Sequence, residues 1–251
     1  MLAQLLSMVY CWVMVARFPA LAMTKTDRRM DPALCGNLLK LGLPIALQNL
    51  VISGGGIAVQ RVVNGFGFLF IAAYTVTNKL YGLLERAATS VGHALSVYTG
   101  QNMGAGRLNR ISFGQRTGTW ISLGVSLLIG LVMLLTGRRI FSLFISADQE
   151  SFAVALGYGY DCLRLMRLFF PSLYLLYVYR SVLQGMGNAP VPLASGMVEL
   201  LMRLASAFWL TGPLKEYGIY MAEISAWVGA AVLLATVYYF VMRRLRQQAE
   251  V

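Results

Sequence analysis

The sequence predicts an all-α polytopic membrane protein, and three observations carry that prediction. Of its 251 residues, 58% are hydrophobic and only 12% charged, with a mean hydropathy of +0.65; a soluble domain carries about 25% charge. The deficit is concentrated, since no charge occurs in Leu41–Gln60, Thr117–Gly137, Ser181–Val198 or Ile224–Met242, runs of 20, 21, 18 and 19 residues. About 20 apolar residues of helix span a bilayer core. Finally, the basic residues behind the formal net charge of +11 sit between and at the ends of apolar segments. That placement reads as membrane topology rather than nucleic-acid binding. A soluble enzyme, a disordered chain and a disulfide scaffold are excluded.

About seven transmembrane helices follow in order. The first, Met1–Ala16, is short for a span. It has neither a basic n-region nor a small-x-small site before Arg17, so a removable signal peptide is not expected and the segment reads as the end of a helix. Thr24–Asp31 is the only long polar linker. Leu41–Val63 contains Pro44, which predicts a break or kink, and Gly54-Gly55-Gly56, which suits close packing. Phe68–Thr99 ends at Gly100-Gln101-Asn102-Met103-Gly104-Ala105-Gly106, a turn signal. Thr117–Thr136 and Phe152–Leu183 follow, the latter with Pro171 and a second turn at Gly185–Pro190. Ala189–Thr211 and Tyr217–Met242 complete the set. Cys11, Cys35 and Cys162 show no CxxC spacing, and free thiols are expected.

Orientation follows from the connections. Taken on alternate sides, Arg17, Lys25, Arg28, Arg29, Lys40, Arg107, Arg110, Arg116, Arg180, Arg243, Arg244 and Arg246 make twelve. Arg61, Arg138, Arg139 and Lys215 make four. The twelve-residue side is expected to be cytoplasmic, with the C-terminus inside.

Five charged residues lie too deep to snorkel: Lys79, Glu85, Arg86, Glu199 and Arg203. At about 2.5–3.5 kcal/mol each they cannot face lipid. On a helical wheel, Tyr81, Glu85, Thr89, Gly92 and Ser96 fall within about 60° of Asn78. Lys79, Arg86 and His93 follow along the adjoining flank, and Ala73, Val76, Leu80, Leu83, Ala87, Val91 and Ala94 form an apolar back. This polar front reads either as an interhelical ion-pair network or as the wall of a water-filled cavity. The cavity is favoured because one neighbour could not satisfy so many groups. Glu199 and Arg203 are i,i+4 with the acid first, an ion-pair spacing. Asp161 and Arg164 pair similarly, and Glu223 has no local partner. The lone His93 excludes HExxH zinc and other multi-histidine chemistry, and a structural role is expected of it. No GxxxxGK[ST] occurs, so no ATP motor is encoded.

Several motifs occur in a telling order: Leu41-Gly42-Leu43-Pro44; Val63-Asn64-Gly65-Phe66-Gly67 with Ile71-Ala72-Ala73-Tyr74; Asn78-Lys79-Leu80; Gly100–Gly106 with Arg110-Ile111; and Leu183-Gln184-Gly185-Met186-Gly187-Asn188. Together they resemble the multidrug and toxic compound extrusion (MATE) transporters, whose superfamily also holds polysaccharide-lipid flippases. The resemblance implies two pseudo-symmetric lobes of six helices around a central cavity, exchanging Na⁺ or H⁺ for organic, often cationic, drugs. On that pattern, residues 1–17 are the end of the last helix of a first lobe and 18–40 a cytoplasmic inter-lobe linker. Residues 41–242 are the six-helix C-terminal lobe and 243–251 a basic cytoplasmic tail. Some members carry an acid in the helix matching Leu41–Gln60, where this sequence offers only Gln48, Asn49, Ser53 and Gln60.

The expected function is therefore cation-coupled drug antiport in the inner (plasma) membrane by a partial chain. It is not an enzyme and needs no cofactor beyond the coupling ion. Its expected partners are a drug-like substrate, the bilayer and the N-terminal lobe, with no nucleic acid. Glu85 is the expected cavity acid, with Gln48 and Asn78 as polar ligands and Glu199 as a second acid; Lys79, Arg86, His93 and Arg203 form the surrounding network. The rival readings are a lipid-linked saccharide flippase, which needs a strongly basic cavity, and a non-transporting truncated fragment.

Overall fold

The structure, a computed structural model, describes residues 2–18, 31–142, 144 and 149–249, and the side chains of 149, 150, 152 and 249 are not described. Eight helices occur among these residues: α1 (Leu2–Ala16), α2 (Pro32–Val63), α3 (Phe68–Gly104), α4 (Leu108–Ser142), α5 (Gln149–Gly185), α6 (Pro190–Trp209), the single turn α7 (Thr211–Leu214) and α8 (Glu216–Ala249). Among the described residues five segments are long and apolar enough to cross a membrane: Pro32–Val63, Leu108–Ser142, Ala153–Gly185, Pro190–Trp209 and Glu216–Gln248. The 37 residues of α3 reach about 55 Å at 1.5 Å each, but its polar stripe holds it below that apolar standard. This is a multi-pass membrane protein.

The helices outrun the apolar segments read from sequence. Hydropathy marks the part inside lipid, whereas backbone hydrogen bonding continues into polar flanks. Residues 32–40, read as linker, are the opening turns of α2, and Asp31 caps them: its Oδ1 accepts from the Ala33 and Leu34 amides at 2.9 and 3.4 Å. The stretch from Thr24 to Met30, with Lys25, Arg28 and Arg29, lies outside the described residues.

Contacts divide the chain into Met1–Lys40 and Leu41–Val251. In the first unit α1 buries no side chain, and Leu2, Leu6 and Trp12 are exposed. In the second, α3 packs along α5 and α4, α5 also along α8 and α4, and α6 along α8. The α2 helix meets α6 at glycines: a Cβ on Gly196 would lie 3.0 Å from Gln48 Cγ, and one on Gly55 3.2 Å from Leu200 Cδ1. The core is aromatic, with Phe70, Phe170, Tyr174, Tyr220 and Trp227 buried together.

Two turns share one solution. After α3, the Arg107 amide donates to Asn102 O at 2.8 Å and the Gly106 amide to Met103 O at 3.1 Å. After α5, Asn188 donates to Leu183 O at 3.0 Å and Gly187 to Gln184 O at 2.9 Å. Both are Schellman caps with glycine at positive φ, 68° at Gly106 and 77° at Gly187. The turn expected over Gly100–Gly106 is therefore tighter than read, because α3 continues to Gly104.

Candidate functional site

The polar front of α3 divides into two parts. Its inner edge is packed. Glu85 is half-buried, and its Oε1 accepts from the Tyr81 hydroxyl one turn back at 2.9 Å and from the Tyr177 hydroxyl of α5 at 2.6 Å. The Tyr81 ring stacks on Trp227 of α8 at 5.4 Å. The carboxylate thus ties α3 to α5, and the Tyr81 ring adds a contact to α8. Asn78 is half-buried on the same edge. The outer edge is open: Lys79, Arg86 and His93 are all exposed, as are Thr75 one turn before Lys79 and Ser90 between Arg86 and His93. Among the described residues none of these cations forms an ion pair. The structure does not draw Lys79, Arg86 or His93 into a network with Glu85.

A second cluster is buried between α5, α6 and α8. Glu199 Oε1 accepts from Arg180 Nη2, and the two residues are only 3% and 6% exposed. Arg180 also reaches Ser195 Oγ at 3.2 Å. Arg203 Nη2 pairs with Glu223 Oε2 at 2.8 Å, and its Nη1 donates to the Ile52 carbonyl of α2 at 3.2 Å. Two arginines and two glutamates therefore neutralise one another. The expected Glu199–Arg203 pair is the loosest contact of the set, at 4.0 Å, because side chains on neighbouring helices offer shorter reach. Arg180 lies over the Tyr177 ring at 5.7 Å. Contacts thus follow one another along Glu85–Tyr177–Arg180–Glu199–Arg203–Glu223, the Tyr177–Arg180 step being a ring contact and the Glu199–Arg203 step a 4.0 Å approach. Gln48 is 1% exposed and accepts from Gln184 Nε2 at 3.3 Å near this cluster.

The sequence names two of these residues without giving their place in the cluster. Arg180, which the loop count places in a cytoplasmic connection, lies inside α5 and is buried. The available signal was Gly185, the helix end, more than a turn further on. Glu223 does have a partner, 20 positions away in sequence. Asp161 and Arg164 line one surface depression but form no ion pair among the described residues. All three cysteines are free. Among the described residues no group of His, Cys, Asp and Glu could hold a metal ion.

Comparisons with known proteins agree with this architecture. A probable multidrug resistance protein of Bacillus subtilis, YoeA, is 32% identical over 134 residues, covering 52% of this chain and 29% of its own length. A second from that organism, YpnP, is 29% identical over 192 residues, 76% of this chain and 39% of its own. The chain thus spans less than half the length of these relatives. The solved structure of a MOP superfamily transporter from Pyrococcus furiosus superposes with a TM-score of 0.85 over 97% of this chain and 56% of that one. At 18% identity that likeness shows the fold; a reverse polarity of the binding pocket, suggesting a different function, is described for that transporter. The MatE family model matches residues 44–209, more than half of the sequence, and the protein belongs to the MatE family of membrane transporters rather than to any enzyme family.

Proposed function

We propose that the chain is the C-terminal half of a secondary active antiporter of the inner (plasma) membrane, exporting organic molecules in exchange for Na⁺ or H⁺. One observation carries this reading: α3 exposes Lys79, Arg86 and His93 along one face, in a segment whose sequence reads as lying inside the hydrocarbon. Such charges are too costly in lipid and belong against water or another protein surface. A cavity shared with a second lobe supplies both, and in repeat-built carriers the site lies between the two repeats. Glu85, at the inner edge of that face, is the group proposed to couple the ion. Gln48 and Glu199 lie deeper in the lobe, as support for the face rather than part of it. With Arg180 withdrawn from the loop count, eleven Lys and Arg remain on one side against four on the other. That bias supports a cytoplasmic C-terminus.

A second reading is favoured by the sign of the charge. Every exposed ionisable side chain on this face is basic, while Glu85, Glu199 and Glu223 are each engaged by tyrosine or arginine donors. Such a surface suits an anionic substrate, as a lipid-linked saccharide flippase would require. Transport assays on a protein carrying both lobes separate these readings. Glu85→Gln is expected to keep the protein inserted and abolish ion-driven efflux of a cationic dye. Efflux unchanged by the substitution would remove Glu85 from coupling. Export confined to anionic substrates would establish the second reading.

A further inference from the structure

The first turns of α4 and the last turns of α8 enclose a cavity of about 440 Å³, within the range of about 300–1,000 Å³ usual for small-molecule sites. Arg116 of α4 and Arg243 and Arg246 of α8 line it, with Ser112, Gln115 and Tyr238 among the others. No acid is among these lining residues, and none of the three arginines forms an ion pair among the described residues. Arg246 is nonetheless held in place, since its Nη2 donates to Ser112 Oγ across the two helices at 2.8 Å. Three guanidinium groups around one cavity repel each other unless an anion lies between them.

The surroundings say which anion. Tyr239, in the cavity lining, is exposed, as are Phe113 and Phe240 on the same turns of α4 and α8, and aromatic rings gather at headgroup depth in membranes. Further along α4 the exposed side chains are Trp120, Ile121, Leu127 and Leu128, a surface for acyl chains. Arginine forks match phosphate oxygens two at a time, and basic pockets between membrane helices hold lipid head groups. We propose that this cavity binds the phosphate of an anionic phospholipid such as phosphatidylglycerol, with its tails along α4. A free phosphate would use the arginines but leave the apolar surface unused. The inference is independent of the transported substrate.

The test uses the full 251-residue chain in nanodiscs of phosphatidylcholine with or without phosphatidylglycerol, read by native mass spectrometry and by the thermal midpoint. Phosphatidylglycerol is expected to be retained and to raise the midpoint. Arg116→Gln, Arg243→Gln and Arg246→Gln should each weaken its binding about fivefold, and all three together about a hundredfold. A charge-matched control, Arg107→Gln with Arg110→Gln and Arg244→Gln outside the cavity, should retain lipid like the unsubstituted chain. Lysine at the three cavity positions keeps the charge without the fork and should retain an intermediate amount, which guards against a triple variant that fails to fold. Equal loss in the control, equal retention of phosphatidylcholine, or an equal rise in midpoint with inorganic phosphate would each overturn the proposal.

Discussion

The exposed faces of α3 and α4 differ in one respect, that cations stand among the exposed side chains in the middle of α3 and none in the middle of α4. Along α4 the open positions include Phe113, Trp120, Leu127, Leu131 and Leu135, with Trp120 74% exposed. Along α3 they include Thr75, Lys79, Arg86, Ser90 and His93, with Leu83 and Val97 interspersed. Exposure therefore means two different things in this molecule. The α4 surface is what lipid covers at no cost, whereas the α3 surface is costly in lipid. Hydropathy averaged along a helix separates the two only as a difference of degree. Burial combined with residue chemistry separates them in kind.

The contrast depends on the α3 cations being left over once the acids are committed inside. Arg180→Leu breaks that commitment by stranding Glu199, and removing one partner of a buried ion pair costs about 3–5 kcal/mol. The melting midpoint in detergent should fall markedly; an unchanged midpoint would mean that the buried cluster is not a charge-balanced unit. The faces themselves are compared next. Leu128→Arg places a cation at the middle of the α4 surface and should cost about 2.5–3.5 kcal/mol on insertion. Arg86→Leu removes one from α3 and should leave the inserted fraction unchanged or raised. Equal losses for the two, measured as membrane-integrated protein, would erase the distinction. The smallest effect concerns neither face. Lys215, between α7 and α8, has φ of 47°, a backbone conformation a side chain disfavours. Lys215→Gly should stabilise by about 1 kcal/mol, seen as a small rise in midpoint.

Much of the architecture was legible in the sequence because the bilayer imposes one simple rule, that charges are excluded from spans. Three of the uncharged runs fall inside α2, α4 and α8, the fourth straddles the end of α5 and the start of α6, and the Gly-x-Gly turns mark the ends of α3 and α5. The α3 stripe was legible too, since a 100° rotation sorts Glu85 from Ala73 and Val76 without any coordinates. Partner choice was not. Spacing proposes only neighbours on the same helix, and so it offered Arg203 to Glu199 and nothing to Glu223. The actual partners, Arg180 and Arg203, come from elements brought side by side by packing. The same limit hid the division of the α3 front, because the wheel cannot say which edge α5 and α8 will cover.

The end of α5 carries a mechanical consequence. A Cβ on Gly185 would lie 2.5 Å from the Ser96 carbonyl oxygen of α3, so the two backbones touch there with nothing between them. Further along, the Tyr177 hydroxyl grips Glu85 and the Tyr174 hydroxyl donates to the Leu84 carbonyl at 3.0 Å. Helices fastened at two separate levels cannot slide or swivel past each other without breaking both fastenings. The charged face of α3 is therefore mounted on α5 like a blade on a handle. Any displacement of this face must carry both helices together, as a lever rather than a flap.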